Sequence, residues 1–146
     1  MTTRLSSVAA DLVERLERQP PARLRRATAD AVGLAIARTG LVDPRLDAAL
    51  TALRDGAFGE TPERSGVVQL AGELDETAWD VQDKAEAGEV TRQAYLAAFA
   101  KARAAAPVGF ALDSDALNAA LESVHETQAA VADLEVVREV VSAALG

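Results

Sequence analysis

The chain has 146 residues and no cysteine, which excludes disulfide bonds, thiolate metal ligands and cysteine nucleophiles. Aromatic residues are scarce, with three Phe, one Tyr and one Trp. The longest uncharged apolar run, AAAPVGFAL, has nine residues, about half of what a transmembrane helix requires. The first residues, MTTRLSSVAADLVERLERQ, lack the apolar segment of a signal peptide. We therefore expect a soluble, cytoplasmic protein.

Alanine supplies 33 of the 146 residues and dominates the apolar fraction of 49%. It is the best helix former and a weak strand former, and no segment shows sustained strand alternation. A core built from such small side chains requires helix axes that lie close together. Arginine outnumbers lysine 13 to 2, a bias that we attribute to a GC-rich bacterial genome. The sequence predicts an all-α single domain over residues 1–146, without a β-sheet.

Helix ends are marked by residues that cap helices. Asp43 and Thr61 each precede a proline at the first helical position, and Thr91 is a third N-cap. Gly40 and Gly56 stand where helices should end. Together with the apolar spacing, these residues predict a compact bundle of six to seven helices at about 5–18, 21–39, 44–54, 62–87, 92–111, 115–131 and 134–145.

The second predicted helix, ARLRRATADAVGLAIARTG, has apolar residues on two sides. A helix of this kind belongs in the middle of a bundle. Ala29, Gly33 and Ala37 form a ridge of small residues on one side, which permits the close approach of a neighbouring helix there.

Acidic residues are concentrated in the second half of the chain. Residues 1–64 hold ten arginines against nine acids, a net charge of +1, whereas residues 65–146 hold five basic residues against fourteen acids, a net charge of −9. An acidic half repels phosphate backbones, so we expect no general nucleic-acid binding.

The stretch ELDETAWDVQDKAEAGE, residues 73–89, combines seven acids with the only Trp. The predicted helix 62–87, which contains most of this stretch, has an apolar seam with alternating steps of four and three residues, which predicts contact with a neighbouring helix. At about 100° per residue, the polar side chains lie opposite the seam and face water. The seam is Val67, Ala71, Leu74, Ala78, Val81 and Ala85, and the opposite side is Gln69, Glu73, Glu76, Asp80 and Asp83.

Trp79 lies between these two sides, and two interpretations follow. Trp is highly buried on average, which favours a role in closing the core. Alternatively, Trp79 anchors a contact surface for a protein with a basic surface, with acids around it: Asp75, Glu76, Asp80, Asp83 and Glu86. The second interpretation suits an immunity or antitoxin-like neutraliser, an adaptor or a regulator, and a homodimer is also compatible with it.

Catalytic and metal-binding patterns are incomplete. Glu122-Ser-Val-His125 matches one half of a di-metal carboxylate site, but His125 is the only histidine, so a second copy of the chain would have to supply the other half. The zincin pattern H-E-x-x-H, a nucleophile elbow and a phosphate-binding loop are all missing. We therefore expect no cofactor and no metal site, and favour a protein that is not an enzyme.

One enzymatic alternative uses carboxylates alone. Glu73-x-x-Glu76 and Asp80-x-x-Asp83 resemble the paired motifs with which all-α nucleotide pyrophosphohydrolases bind Mg²⁺. In that family the two motifs lie on successive helices, whereas here both lie on one helix and face away from its seam. The resemblance implies Mg²⁺-dependent hydrolysis only if a dimer brings two such helices together.

Overall fold

The computed structural model describes residues 3–146, which form seven α-helices and no β-strand. The predicted all-α bundle is confirmed, and every predicted helix end lies within one residue of the observed end. The helices are α1 (Ser6–Glu17), α2 (Pro21–Thr39), α3 (Pro44–Asp55), α4 (Pro62–Glu86), α5 (Arg92–Ala111), α6 (Ala116–Val131) and α7 (Leu134–Leu145).

The helix ends are set by their local sequence. The side-chain oxygens of Asp43, Thr61 and Thr91 each accept a hydrogen bond from a backbone N–H in the first turn, at 2.8, 3.2 and 3.2 Å. These bonds satisfy donors that the helix itself leaves unpaired. Gly40 and Gly56 end α2 and α3 with φ of +66° and +75°, a region that favours glycine.

Buried side chains form two clusters that share α2. The first cluster joins α1, α2, α6 and α7, and the second joins α2, α3, α4 and α5. Leu24 and Ala31 of α2 belong to the first cluster, whereas Val32 and Ala35 belong to the second. The central position predicted for α2 is therefore correct.

The ridge of small residues on α2 does not pack against another helix of the chain. Ala29, Gly33 and Ala37 are exposed, and a Cβ added at Gly33 would meet no atom within 4 Å. The close approach that this ridge permits is therefore not made at Gly33 within residues 3–146. The faces that carry Leu24 and Val32 bury more apolar area than a face of Ala and Gly can offer, and they set the orientation of α2.

Two arginines in the first turns of α2 bind the ends of other helices. The guanidinium of Arg25 donates to the carbonyl oxygens of Ala111 at 3.0 Å and Asp113 at 2.7 Å, at the end of α5. Arg23 donates to the carbonyl oxygen of Leu145 at 3.1 Å, at the end of α7. Burial lowers the pKa of Arg25, and the nearby acids oppose this effect. Positive charge at the carbonyl end of a helix is favourable, so both arginines stabilise the fold.

Candidate interaction surface on the α4–α5 hairpin

Helices α4 and α5 pack against each other in an antiparallel hairpin. Close to the second core cluster, Nε of Arg64 donates to the carbonyl oxygen of Gly109 at 3.1 Å. Nearer the loop that joins the two helices, the centres of the Trp79 and Phe99 rings lie 6.3 Å apart. Both helices have buried residues at the end that joins the second core cluster, but none of residues 79–101 is buried. We call residues 79–101 the outer hairpin. It extends beyond both core clusters, because neither cluster contains any of its residues.

The two sides of α4 face as the sequence predicted. Val67 and Ala78 of the seam are buried, and the other four seam residues are half-buried. The opposite side, Gln69, Glu73, Glu76, Asp80 and Asp83, is exposed. Glu73 is the member of this side that forms an ion pair, with Arg45 at 2.7 Å.

Trp79 lies on the surface, with 61% of its area exposed. Its ring meets Phe99 edge-on, and Phe99 in turn meets Tyr95 edge-on at 4.9 Å. Closure of the core by Trp79, the first of the two interpretations, is therefore wrong. The aromatic ring that meets the indole is that of Phe99 on α5, and more than half of Trp79 stays exposed to solvent.

Further exposed apolar side chains lie on the same side of the hairpin. Of the five large apolar residues that the described chain exposes, three are on α4 and α5: Trp79, Val68 at 55% and Leu96 at 49%. Val68 and Phe110 line one groove of about 240 Å³ at the end of the hairpin that joins the second core cluster. We call this side the hairpin face, and helical spacing places on it Val68, Asp75, Trp79 and Glu86 of α4 and Arg92, Leu96, Phe99, Arg103 and Phe110 of α5.

Charge is divided between the two helices of the hairpin. Helix α4 carries seven acids and two basic residues, whereas α5 carries Arg92, Lys101 and Arg103 and no acid. Within residues 3–146, no ion pair joins α4 to α5, and these three basic side chains form none. The guanidinium of Arg103 lies 5.7 Å from the centre of the Phe99 ring. The hairpin face therefore has an apolar centre, an acidic side and a basic side.

All of the acids predicted around Trp79 are exposed, but they divide into two groups. Asp75 and Glu86 lie on the hairpin face, beside the apolar centre. Glu76, Asp80 and Asp83 lie on the outer side of α4, beyond the indole. The sequence prediction covered the α4 part of the surface and missed the part on α5. The spacing of Arg92, Leu96, Phe99 and Arg103, in steps of four, three and four, was the signal for that part.

The structure gives no support to a metal centre. No group of three or more Asp, Glu or His side chains in residues 3–146 is arranged to hold an ion. Both Glu122 and Glu126 pair with Arg4, so neither is a free ligand. Nδ1 of His125 is buried without a hydrogen-bond partner among the described residues. Neither the di-metal motif nor the pyrophosphohydrolase motifs converge within one copy of the chain.

Comparison of the chain with protein-family models, with curated proteins and with solved structures gives no match. Among the described residues, none of the seven helices combines the length and the apolar character needed to cross a lipid bilayer.

Proposed function

We propose that this protein acts by binding another protein through the hairpin face. The observation that carries the proposal is the exposure of Trp79, at 61%, in an apolar stripe on a hairpin that extends beyond the core. Exposed apolar stripes bordered by charge are typical of interaction sites on otherwise well-packed proteins. A binding role of this kind suits a neutraliser, an adaptor or a regulator.

Trp79 is suited to be the central anchor of such an interface. Its loss of water contact on binding is large, and truncation of residues at the centre of an interface commonly costs about 2–4 kcal/mol of binding free energy. The acids around it, Asp75, Glu76, Asp80, Asp83 and Glu86, favour a partner with a basic surface. Their attraction increases the association rate and weakens as salt is added, because mobile ions screen exposed charges.

The proposal is tested with the double variant Trp79→Ala/Asp80→Lys, which removes the anchor and reverses a neighbouring charge. Immobilised wild-type and variant chains are incubated with an extract of the source organism, and captured proteins are quantified by mass spectrometry. We expect a protein that the wild type captures and the folded variant loses by at least tenfold. Far-ultraviolet circular dichroism checks that both chains have equal helix content.

The matched control variant is Val42→Ala/Glu14→Lys, which makes the same kinds of change at exposed positions away from the hairpin. It should capture the same protein as the wild type. Equal capture by the wild type and the Trp79→Ala/Asp80→Lys variant would contradict the proposal. Because Trp79 is the only tryptophan, a blue shift of the protein's tryptophan emission on addition of the captured protein would place the contact at this residue.

A further inference from the structure

We propose that the partner of the hairpin face is a second copy of this chain, with α4 of each copy packed on α5 of the other. This inference rests on the proposed function, because it names the partner of the same surface. The basic surface that the acidic helix requires is present on the chain itself, in α5, whose basic side chains form no ion pair within residues 3–146.

The first step is the register of the hairpin. Trp79 and Phe99 are in contact, so positions equally far from them in opposite directions lie at the same level of an antiparallel pair. Asp75 is four residues before Trp79, and Arg103 is four residues after Phe99, so these two are level. Glu86 and Arg92 are level in the same way and line a common pocket.

The second step is symmetry. A twofold axis parallel to the hairpin places α4 of one copy over α5 of the other without a change of level. Asp75 of each copy then faces Arg103 of the other, and Glu86 of each copy faces Arg92 of the other. The dimer therefore contains two pairs of each kind. A twofold axis across the hairpin would instead place one acidic α4 on the other, which is repulsive. The charge pattern of the hairpin face therefore favours the first arrangement, in which every charge on the face meets its opposite.

The third step is that the outer hairpin lacks a packing partner beyond its own two helices. Two helices alone bury little apolar surface, and helices in water are stable mainly through packing. The outer hairpin has this problem, because none of its residues is buried. A second hairpin completes a four-helix arrangement. About 30 Å of helix and a width of about 20 Å give roughly 600 Å² per copy, which reaches the lower end of the standard range for specific interfaces.

The test uses charge reversal and sedimentation. We expect the wild type to form a dimer in analytical ultracentrifugation over about 1–100 µM. Asp75→Arg places two arginines opposite each other, and Arg103→Glu places two acids opposite each other. Each single variant should therefore dimerise at least tenfold more weakly than the wild type.

An equimolar mixture of the two single variants provides the decisive measurement. In the mixed dimer, Arg at position 75 faces Glu at position 103 of the other copy, and the second pair is the native one. The mixture should form heterodimers about as tightly as the wild type, which contacts within one chain cannot produce. Lys101→Glu is the matched control, because it reverses a charge on α5 two residues away and on another side of the helix. It should dimerise like the wild type.

A wild type that remains monomeric over the whole range overturns the dimer, as does a mixture that stays monomeric. If Trp79-dependent capture of another protein is then still observed, the proposed function stands and only the identity of the partner is wrong. If the chain dimerises by these charge rules but captures no other protein, the dimer is supported, and the proposed function reduces to self-association.

Discussion

At the scale of the single residue, one carboxylate both starts a helix and connects it to another. Asp43 accepts the backbone N–H of Arg45 at 2.8 Å and its Nε at 3.1 Å. Arg45 in turn pairs with Glu73 on α4 at 2.7 Å. The hydrogen bond from the Arg45 side chain, followed by the one from its backbone, lowers the pKa of Asp43. Asp43 therefore supports both the start of α3 and its link to α4.

The lowered pKa of Asp43 predicts a pH-dependent share of stability. The charged form is favoured in the folded state, so the contribution is fully present above the unfolded-state pKa of about 3.9. It is lost as the pH falls through the folded-state pKa. Asp43→Asn retains a good cap but removes the charge. The free energy of unfolding is measured with urea from pH 7 downwards. That of the wild type should exceed that of the variant by a constant amount until about pH 4, and the difference should shrink at lower pH. A difference that persists undiminished in acid would contradict the assignment.

At the scale of the helix, two glycines in similar sequences occupy different environments. Gly33 lies in V-G-L-A-I and Gly109 in V-G-F-A-L. Gly33 lies in α2 with no atom within 4 Å of an added Cβ. In α5, a Cβ added at Gly109 would lie 3.0 Å from Cγ2 of Val68 on α4. One glycine is therefore exchangeable, and the other sets how closely the two helices of the hairpin approach.

Alanine substitution should separate the two glycines. Gly33→Ala should raise the free energy of unfolding by about 0.5–1 kcal/mol, because alanine favours the helix and meets no neighbour. Gly109→Ala has the same gain in helix propensity, but overpacking should lower its free energy of unfolding by about 1–3 kcal/mol, because Val68 cannot easily change its χ1 angle. Urea unfolding measures both values. The double variant Gly109→Ala/Val68→Ala should recover most of the loss, and a stabilising Gly109→Ala alone would refute the close contact.

The same scale shows what the sequence could and could not predict. Helix ends were predictable because caps such as Asp43 and Thr61 act within a few residues. The orientation of α4 was predictable because its seam is periodic. The exposure of Trp79 was not, because it depends on whether a third helix covers the hairpin at that level. The α5 part of the hairpin face was missed because nine of the twenty residues of α5 are alanine, so its apolar and polar sides differ little in hydrophobicity.

At the scale of the whole molecule, the division of charge matters more than the net charge of −8. Six of the fourteen acids in residues 65–146 lie on α4, which packs against α5, a helix with three basic residues and no acid. A uniformly acidic surface would keep copies of the chain apart. A surface with acid on one side and base on the other lets copies meet in one preferred arrangement. In the proposed dimer, Asp75 and Glu86 are neutralised, whereas Glu76, Asp80 and Asp83 continue to face water.

This orientation leads to a prediction about Mg²⁺. The carboxylates of the pyrophosphohydrolase alternative, Glu73, Glu76, Asp80 and Asp83, are exposed on one helix, and no group of three or more Asp, Glu or His side chains in residues 3–146 is arranged to hold an ion. A ligand stabilises a protein only if it binds the folded state preferentially. We therefore expect about 10 mM MgCl₂ to shift the Tm by less than about 1 °C relative to NaCl of equal ionic strength. A rise of several degrees that is lost in Glu76→Gln/Asp80→Asn would mean that these acids converge between copies, and hydrolysis would then replace binding as the function to test.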